Sequence, residues 1–111
     1  MNKVIAESRL RINTAASGDT ALVAAAPGLR CRVHGLRLSV AGAVIVQIKA
    51  GSTVLEVFNF AAAGTMAPLT LRFQPYYETA ANEALNINLS GAVQCNGVLE
   101  YTMRSEERRV G

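Results

Sequence analysis

The chain has 111 residues, of which half are hydrophobic, 17% are charged and only 5% are aromatic, without a tryptophan. This length fits one domain, and the composition predicts a core of Val, Leu, Ile and Ala. A formal net charge of +3 is too small to indicate nucleic-acid binding, which needs basic residues clustered on one face. The first residues contain no long apolar run. The longest apolar run of the whole chain, 40–46, is interrupted by Gly42. We therefore expect no secretory signal and no membrane span, and synthesis in a cytoplasm.

Residues 1–13 are the least regular part of the chain and are predicted to form an N-terminal arm or a first strand. Turn residues at 17–19 and 27–28 precede two apolar segments. The second segment, 30–40, changes phase, because Cys31 and Val33 have one parity while Leu36, Leu38 and Val40 have the other. The switch falls at Gly35, where we predict a β-bulge. The exposed side of this strand would then carry Arg30, Arg32, His34, Arg37 and Ser39.

The rest of the chain alternates between apolar and polar residues, which is typical of strands that bury one face. Apolar residues share one parity in 44–48, 69–73, 85–89 and 93–103. Gaps of hairpin length occur at 41–42 and 51–53, and longer loops at 61–68 and 75–84. No segment has a helical period with caps. We predict an all-β fold, an antiparallel, jelly-roll-like β-sandwich of about eight strands at 14–104, followed by a polar tail at 105–111.

Candidate catalytic chemistry is sparse in this sequence. His34 is the single histidine, and a surface side chain beside two arginines is a simpler interpretation than a general base. Glu78 and Glu83 resemble a glycosidase carboxylate pair only in residue type. The two glutamates and two neighbouring tyrosines form a candidate loop binding surface: Tyr76, Tyr77, Glu78 and Glu83. The alternative interpretation is a solvated loop whose tyrosines cover the open end of the sandwich. We predict no catalytic residue, no cofactor and no metal site.

The two cysteines, Cys31 and Cys95, both fall on predicted inward faces, where a thiol packs as a small apolar side chain. Two thiols and one histidine do not complete a zinc site. A reduced pair is the default in a cytoplasmic product. If their strands are neighbours, however, a disulfide would close a loop of about 65 residues and stabilise the fold. The sequence leaves both states open.

The order of strands and turns, with several short segments in it, resembles a known class of protein. The segments are RVHGLRLS at 32–39, VQIKAGST at 46–53, ALNINLS at 84–90 and GVLEY at 97–101. Over residues 14–103 the chain resembles small structural proteins of tailed bacteriophages, β-sandwich proteins of the virion that include head decoration proteins and fibre-associated modules. The resemblance implies a virion location and homotrimers that sit on a capsid lattice or attach to a fibre. It brings no catalytic residue with it.

The leading hypothesis is a capsid decoration protein, a homo-oligomer that binds the major capsid protein or another virion protein and stabilises the assembled head. Its candidate contact residues lie in the N-terminal arm: Val4, Ile5, Arg9, Leu10 and Arg11. Low charge and the small-residue stretches 24–26 and 61–64 favour self-association, with a homotrimer as the expected state. The alternative is a receptor- or glycan-binding module of a tail or fibre, and an enzyme ranks last. Neither nucleic acid nor a membrane is expected as a partner.

Overall fold

The structure, a computed structural model, describes residues 8–66, 69–70 and 77–105. Every regular element within these ranges is a β-strand, and no helix there could span a membrane. The strands are β1 (Ser8–Thr14), β2 (Gly18–Val23), β3 (Leu29–Val40), β4 (Val44–Ala50), β5 (Thr53–Phe60), β6 (Gly64–Thr65), β7 (Leu69–Thr70), β8 (Tyr77–Glu78), β9 (Leu85–Leu89) and β10 (Cys95–Ser105). The prediction of an all-β, antiparallel fold is confirmed.

The strands form two sheets. One has the order β1-β10-β3, and the short strands β6, β7 and β8 follow one another along the free edge of β3. The other has the order β2-β9-β4-β5. When the three short strands along the edge of β3 are counted as one, the described residues form eight strands in the order 1-8-3-6 and 2-7-4-5. This is the strand order of a jelly roll, as the alternation and turn spacing predicted.

Alternation places one hydrophobic core between the sheets. On β9, Leu85, Ile87 and Leu89 are buried while Asn86 and Asn88 lie on the other face and stay partly accessible. The same period-two pattern on the facing strands completes the core. The residues that are at most 2% exposed include Ile12, Cys31, Val33, Leu36, Leu38, Val46, Ile48, Cys95 and Leu99.

The predicted bulge in β3 is present. Glu100 of β10 lies opposite Gly35 and the next residue, Tyr101, lies opposite Val33, so His34 is the extra residue. The insertion reverses the faces, and for that reason the apolar residues on both sides of it point inward. The expectation that His34 is exposed is wrong, because its side chain is only 8% exposed. The bulge turns its ring towards β10, where Nε2 lies 3.1 Å from the Thr102 hydroxyl.

The two gaps of hairpin length have different outcomes. Gly51-Ser52 joins β4 to β5 as a two-residue hairpin, and Gly51 has a φ of 59°. Glycine with positive φ at the first position is the signature of a type II′ turn. The 41–43 connection instead crosses from β3 in one sheet to β4 in the other. Both edges of β3 already pair, with β10 and with β6–β8, so β4 has no edge of β3 to join.

The buried side chain of Tyr77 links the two sheets at their edges. Its hydroxyl donates to Glu56 Oε1 at 3.1 Å, which connects β8 in one sheet to β5 in the other. We expect Tyr77→Phe to lower the free energy of unfolding by about 1.5–2 kcal/mol, the lower part of the range for a hydrogen bond to a carboxylate. Urea denaturation measures this loss. The control is Tyr101→Phe, since no hydrogen bond of the Tyr101 hydroxyl is found to the described residues. Equal losses in both variants would show that the link contributes nothing.

Candidate binding face

The candidate contact residues of the N-terminal arm fall into two groups. Val4 and Ile5 lie outside the described residues. Arg9, Leu10 and Arg11 belong to β1, which pairs with β10 along its whole length. Both arginines are exposed on the outer face, while Leu10 is half-buried and packs against the core. The described part of the predicted arm is therefore the first strand of the sandwich.

The outer face of the β1-β10-β3 sheet is rich in arginine. Arg11 lies directly opposite Val98 of β10, and Val98 lies directly opposite Arg37 of β3. We call this surface the arginine face. Among the described residues its charged side chains are six arginines and two glutamates: Arg9, Arg11, Arg30, Arg32, Arg37 and Arg104, with Glu78 and Glu100. Basic residues from β1, β3 and β10 therefore cluster on one face, which the net charge of +3 did not indicate.

The two glutamates pair with only some of these arginines. Glu78 Oε2 lies 3.1 Å from Nη1 of Arg30 and 3.1 Å from Nε of Arg32. Glu100 Oε2 lies 3.1 Å from Nη2 of Arg9, whose side chain is 73% exposed, so this pair adds little stability. Arg11 and Arg37 have no acidic partner within the described part of the chain. Their charges are therefore available to a group from outside.

A shallow depression of about 440 Å³ lies on the arginine face between β1 and β3. Three arginines and a polar edge surround it, and its lining includes Arg9, Arg11, Arg37, Ser39, Asn96 and Val98. Gly97 also lines it and explains why the strands approach so closely there. A Cβ at Gly97 would meet the carbonyl oxygen of Arg37, so only glycine allows β10 and β3 to pair in this way.

The outer face of the second sheet is different, because its charges are neutralised. Lys49 Nζ lies 3.1 Å from Asp19 Oδ1, and Asn88 Nδ2 donates to the same oxygen at 2.7 Å. The Asn88 hydrogen bond, followed by that of Lys49, holds the pKa of Asp19 below its usual value. Three exposed apolar residues lie on β4 and β5 of this sheet: Ile45, Val54 and Val57. The cationic side chains of the described residues that form no salt bridge thus lie on the arginine face.

The residues of the predicted loop surface do not come together on one exposed patch. Tyr76 lies outside the described residues, and Tyr77 is buried between the sheets. Glu78 is part of the arginine face. Glu83 lies in the 80–84 turn, where its Oε1 accepts a hydrogen bond from the backbone N–H of Ala80. The proposed glycan surface therefore finds no support in the three residues that the structure describes.

The candidate disulfide between Cys31 and Cys95 is absent. Cys31 lies opposite Met103 and Cys95 lies opposite Val40, at the two ends of the β3–β10 pair. Nine residues of strand separate these positions, roughly 30 Å, whereas a disulfide needs Cα atoms within about 7 Å. Both thiols are free and fully buried, so the prediction that they face inward is confirmed. Burial raises the pKa of Cys31 to about 12 and also raises that of Cys95.

Stability is expected to fall in alkaline solution because of these thiols. Above pH 9 the thiols of the unfolded chain ionise, while Cys31 in the folded chain keeps its proton until about pH 12. The folded state therefore binds more protons in this window, and the free energy of unfolding decreases as the pH rises through it. Urea denaturation at pH 8 and pH 10.5 measures the change. The Cys31→Ala variant should be less stable at both values but should lose less between them, and an unchanged loss would contradict the assignment.

No site for a metal and no family assignment emerges from these residues. Among the described residues, no group of three or more His, Cys, Asp or Glu side chains is placed to hold a metal ion. No family model matches the chain, and no curated protein matches it either. The class that the described structure defines is a jelly-roll β-sandwich with one arginine-rich outer face.

Proposed function

We propose that the protein is a structural component of a bacteriophage particle, a decoration protein that binds the assembled head as a homo-oligomer. The observation that carries this proposal is the arginine face, on which Arg11 and Arg37 have no acidic partner among the described residues. The facing sides of the two sheets are filled with apolar residues, and the arginines of the β1-β10-β3 sheet lie on its outer face. The resemblance over residues 14–103 supplies the virion context.

Stabilisation of the head would follow from mass action. A protein that binds the assembled shell, and not its separate subunits, lowers the free energy of the assembled state. A homotrimer presents three copies of the arginine face at once, and linked contacts increase the overall affinity far beyond that of one face. Weak individual contacts to the major capsid protein or another virion protein are then sufficient.

The two described charged residues of the predicted contact set, Arg9 and Arg11, lie on this face. Arginine suits such a role, because its planar guanidinium binds carboxylates with two parallel hydrogen bonds and always keeps its charge. Leu10 packs against the core, so its expected role shifts from docking on the shell to holding β1 in the sheet. The contact surface thereby extends to Arg37, which the arm hypothesis did not include.

Particles made with and without the protein test the proposal. We expect electron cryomicroscopy to locate the protein on the head lattice at full occupancy. Heads that lack it should release their genome at a lower temperature, and addition of the purified chain should restore the temperature of the complete particle. If particles made in the presence of the protein do not contain it after purification, the proposal is overturned. Localisation on a tail or fibre would favour the receptor-binding alternative instead.

A further inference from the structure

We propose that the depression on the arginine face is a binding site for the carboxylates of an acidic protein segment, with Arg11 and Arg37 as its ligands. The proposal deepens the proposed function, and it rests on that function for the identity of the partner as a virion protein. The chemistry of recognition rests on the face itself. The residues that carry it lie on three different strands.

The position of the two arginines is fixed by the sheet. Arg11 and Arg37 flank Val98 in register, and neighbouring strands lie about 4.8 Å apart, so their Cα atoms are roughly 10 Å apart. Arginine side chains are long enough for both guanidiniums to meet above Val98. Hydrogen bonds between the strands already hold the backbones of Arg11 and Arg37 in place. Binding of a carboxylate therefore has to order only the two arginine side chains.

The two glutamates of the arginine face form salt bridges with other arginines than Arg11 and Arg37. Arg9 pairs with Glu100, and the arginines farther along β3 pair with Glu78. Arg11 and Arg37 are exposed and form no salt bridge with an acidic residue in the described part of the chain. Two like charges side by side repel, and a carboxylate placed between them removes this repulsion and gains charge-assisted hydrogen bonds.

The surroundings of the pair suit a peptide. Val98 provides an apolar floor, while Ser39 and Asn96 offer hydrogen-bonding groups along one side. The depression, with a volume of about 440 Å³, is open to solvent along its length. In a peptide segment, carboxylates would bind the two arginines, short apolar side chains would pack on Val98, and polar groups would reach Ser39 and Asn96.

An acidic protein fits this face better than nucleic acid does. A phosphate backbone carries closely spaced negative charges and needs a continuous basic track. On the arginine face Glu100 lies next to the depression and Glu78 lies farther along, so a phosphate chain would meet carboxylates in both places. A protein segment can place its few carboxylates at Arg11 and Arg37 alone, the two arginines of the depression without an acidic partner among the described residues.

Nuclear magnetic resonance on the full chain tests the site directly. We expect hexaglutamate, added at low ionic strength, to shift the resonances of Arg11, Val98 and Arg37, and added salt to weaken the effect. Arg37→Ala should weaken binding about tenfold, as the loss of one charge-assisted pair predicts. The matched control is Arg104→Ala, which removes the same charge from the same face at its far end and should leave the affinity close to that of the unchanged chain.

Several results would overturn the site. They are the absence of shifts at these residues, equal weakening in the two variants, or tighter binding of a hexathymidylate oligonucleotide at the same residues, which would indicate nucleic acid. The particle provides the second measurement, in which Arg37→Glu should empty the heads while Arg104→Glu should not. If the protein is absent from particles but binds hexaglutamate, the proposed function fails alone. If it decorates heads without binding hexaglutamate at Arg37, the carboxylate site fails alone.

Discussion

Gly97→Ala is expected to lower the free energy of unfolding by about 3 kcal/mol, at the upper end of the usual cost of overpacking. Gly97 lies near the start of β10 and is paired with Ile12 of β1 on one side and Leu38 of β3 on the other. An added Cβ would meet the carbonyl oxygen of Arg37 and would lie 3.1 Å from Cα of Leu38. These are backbone atoms that cannot rotate away, so β3 and β10 must separate and lose ladder hydrogen bonds. Urea denaturation at neutral pH measures the loss.

The same substitution should also impair the arginine face. Separation of β3 from β10 moves Arg37 away from Arg11, so hexaglutamate binding should weaken even under conditions where the variant is folded. The control is Gly91→Ala, because a Cβ there has no atom within 4 Å and the backbone does not have positive φ. We expect that control to change stability by less than about 0.5 kcal/mol. If Gly97→Ala lowered the free energy of unfolding no more than Gly91→Ala does, the close approach of β3 and β10 at Gly97 would be disproved.

Period-two alternation made most of the fold predictable from sequence. The buried face of β9 and the phase change at Gly35 follow from local sequence alone, because each strand reports its own inward side. Strand pairing is not local. The 41–43 connection has the length of a hairpin, yet it crosses between sheets because the partners of β3 come from distant parts of the chain.

The arginine face shows the same limit at the level of the site. Parity predicts that Arg37 points outward, but only the strand order brings β1, with Arg9 and Arg11, and β3 to the two sides of β10. The net charge does not indicate this cluster, because acidic residues elsewhere in the chain cancel part of the positive charge of the arginines. The position of His34 was also beyond prediction, because the extra residue of a bulge faces whichever side its neighbours leave open.

Ile87→Ala is expected to lower the free energy of unfolding by about 3–4 kcal/mol, which lies within the range measured for large-to-small changes in cores. Ile87 is fully buried on β9, in the interior of the second sheet. It is paired with Thr20 of β2 on one side and Ile48 of β4 on the other. Because both neighbours hold the backbone in place, the structure cannot collapse into the space, and the loss includes a cavity as well as buried area. Urea denaturation with far-ultraviolet circular dichroism measures it.

The matched control is the next residue along the strand, Asn88→Ala. Its side chain lies on the outer face and donates to Asp19, a bond at an exposed site, so the expected loss is below about 1 kcal/mol. The difference between these adjacent positions measures how strongly the sheet separates its two faces. Losses of equal size would contradict the inward and outward assignment on β9. The same assignment on β1, β3 and β10 directs the arginines outward, so the arginine face depends on the rule that this pair of variants tests.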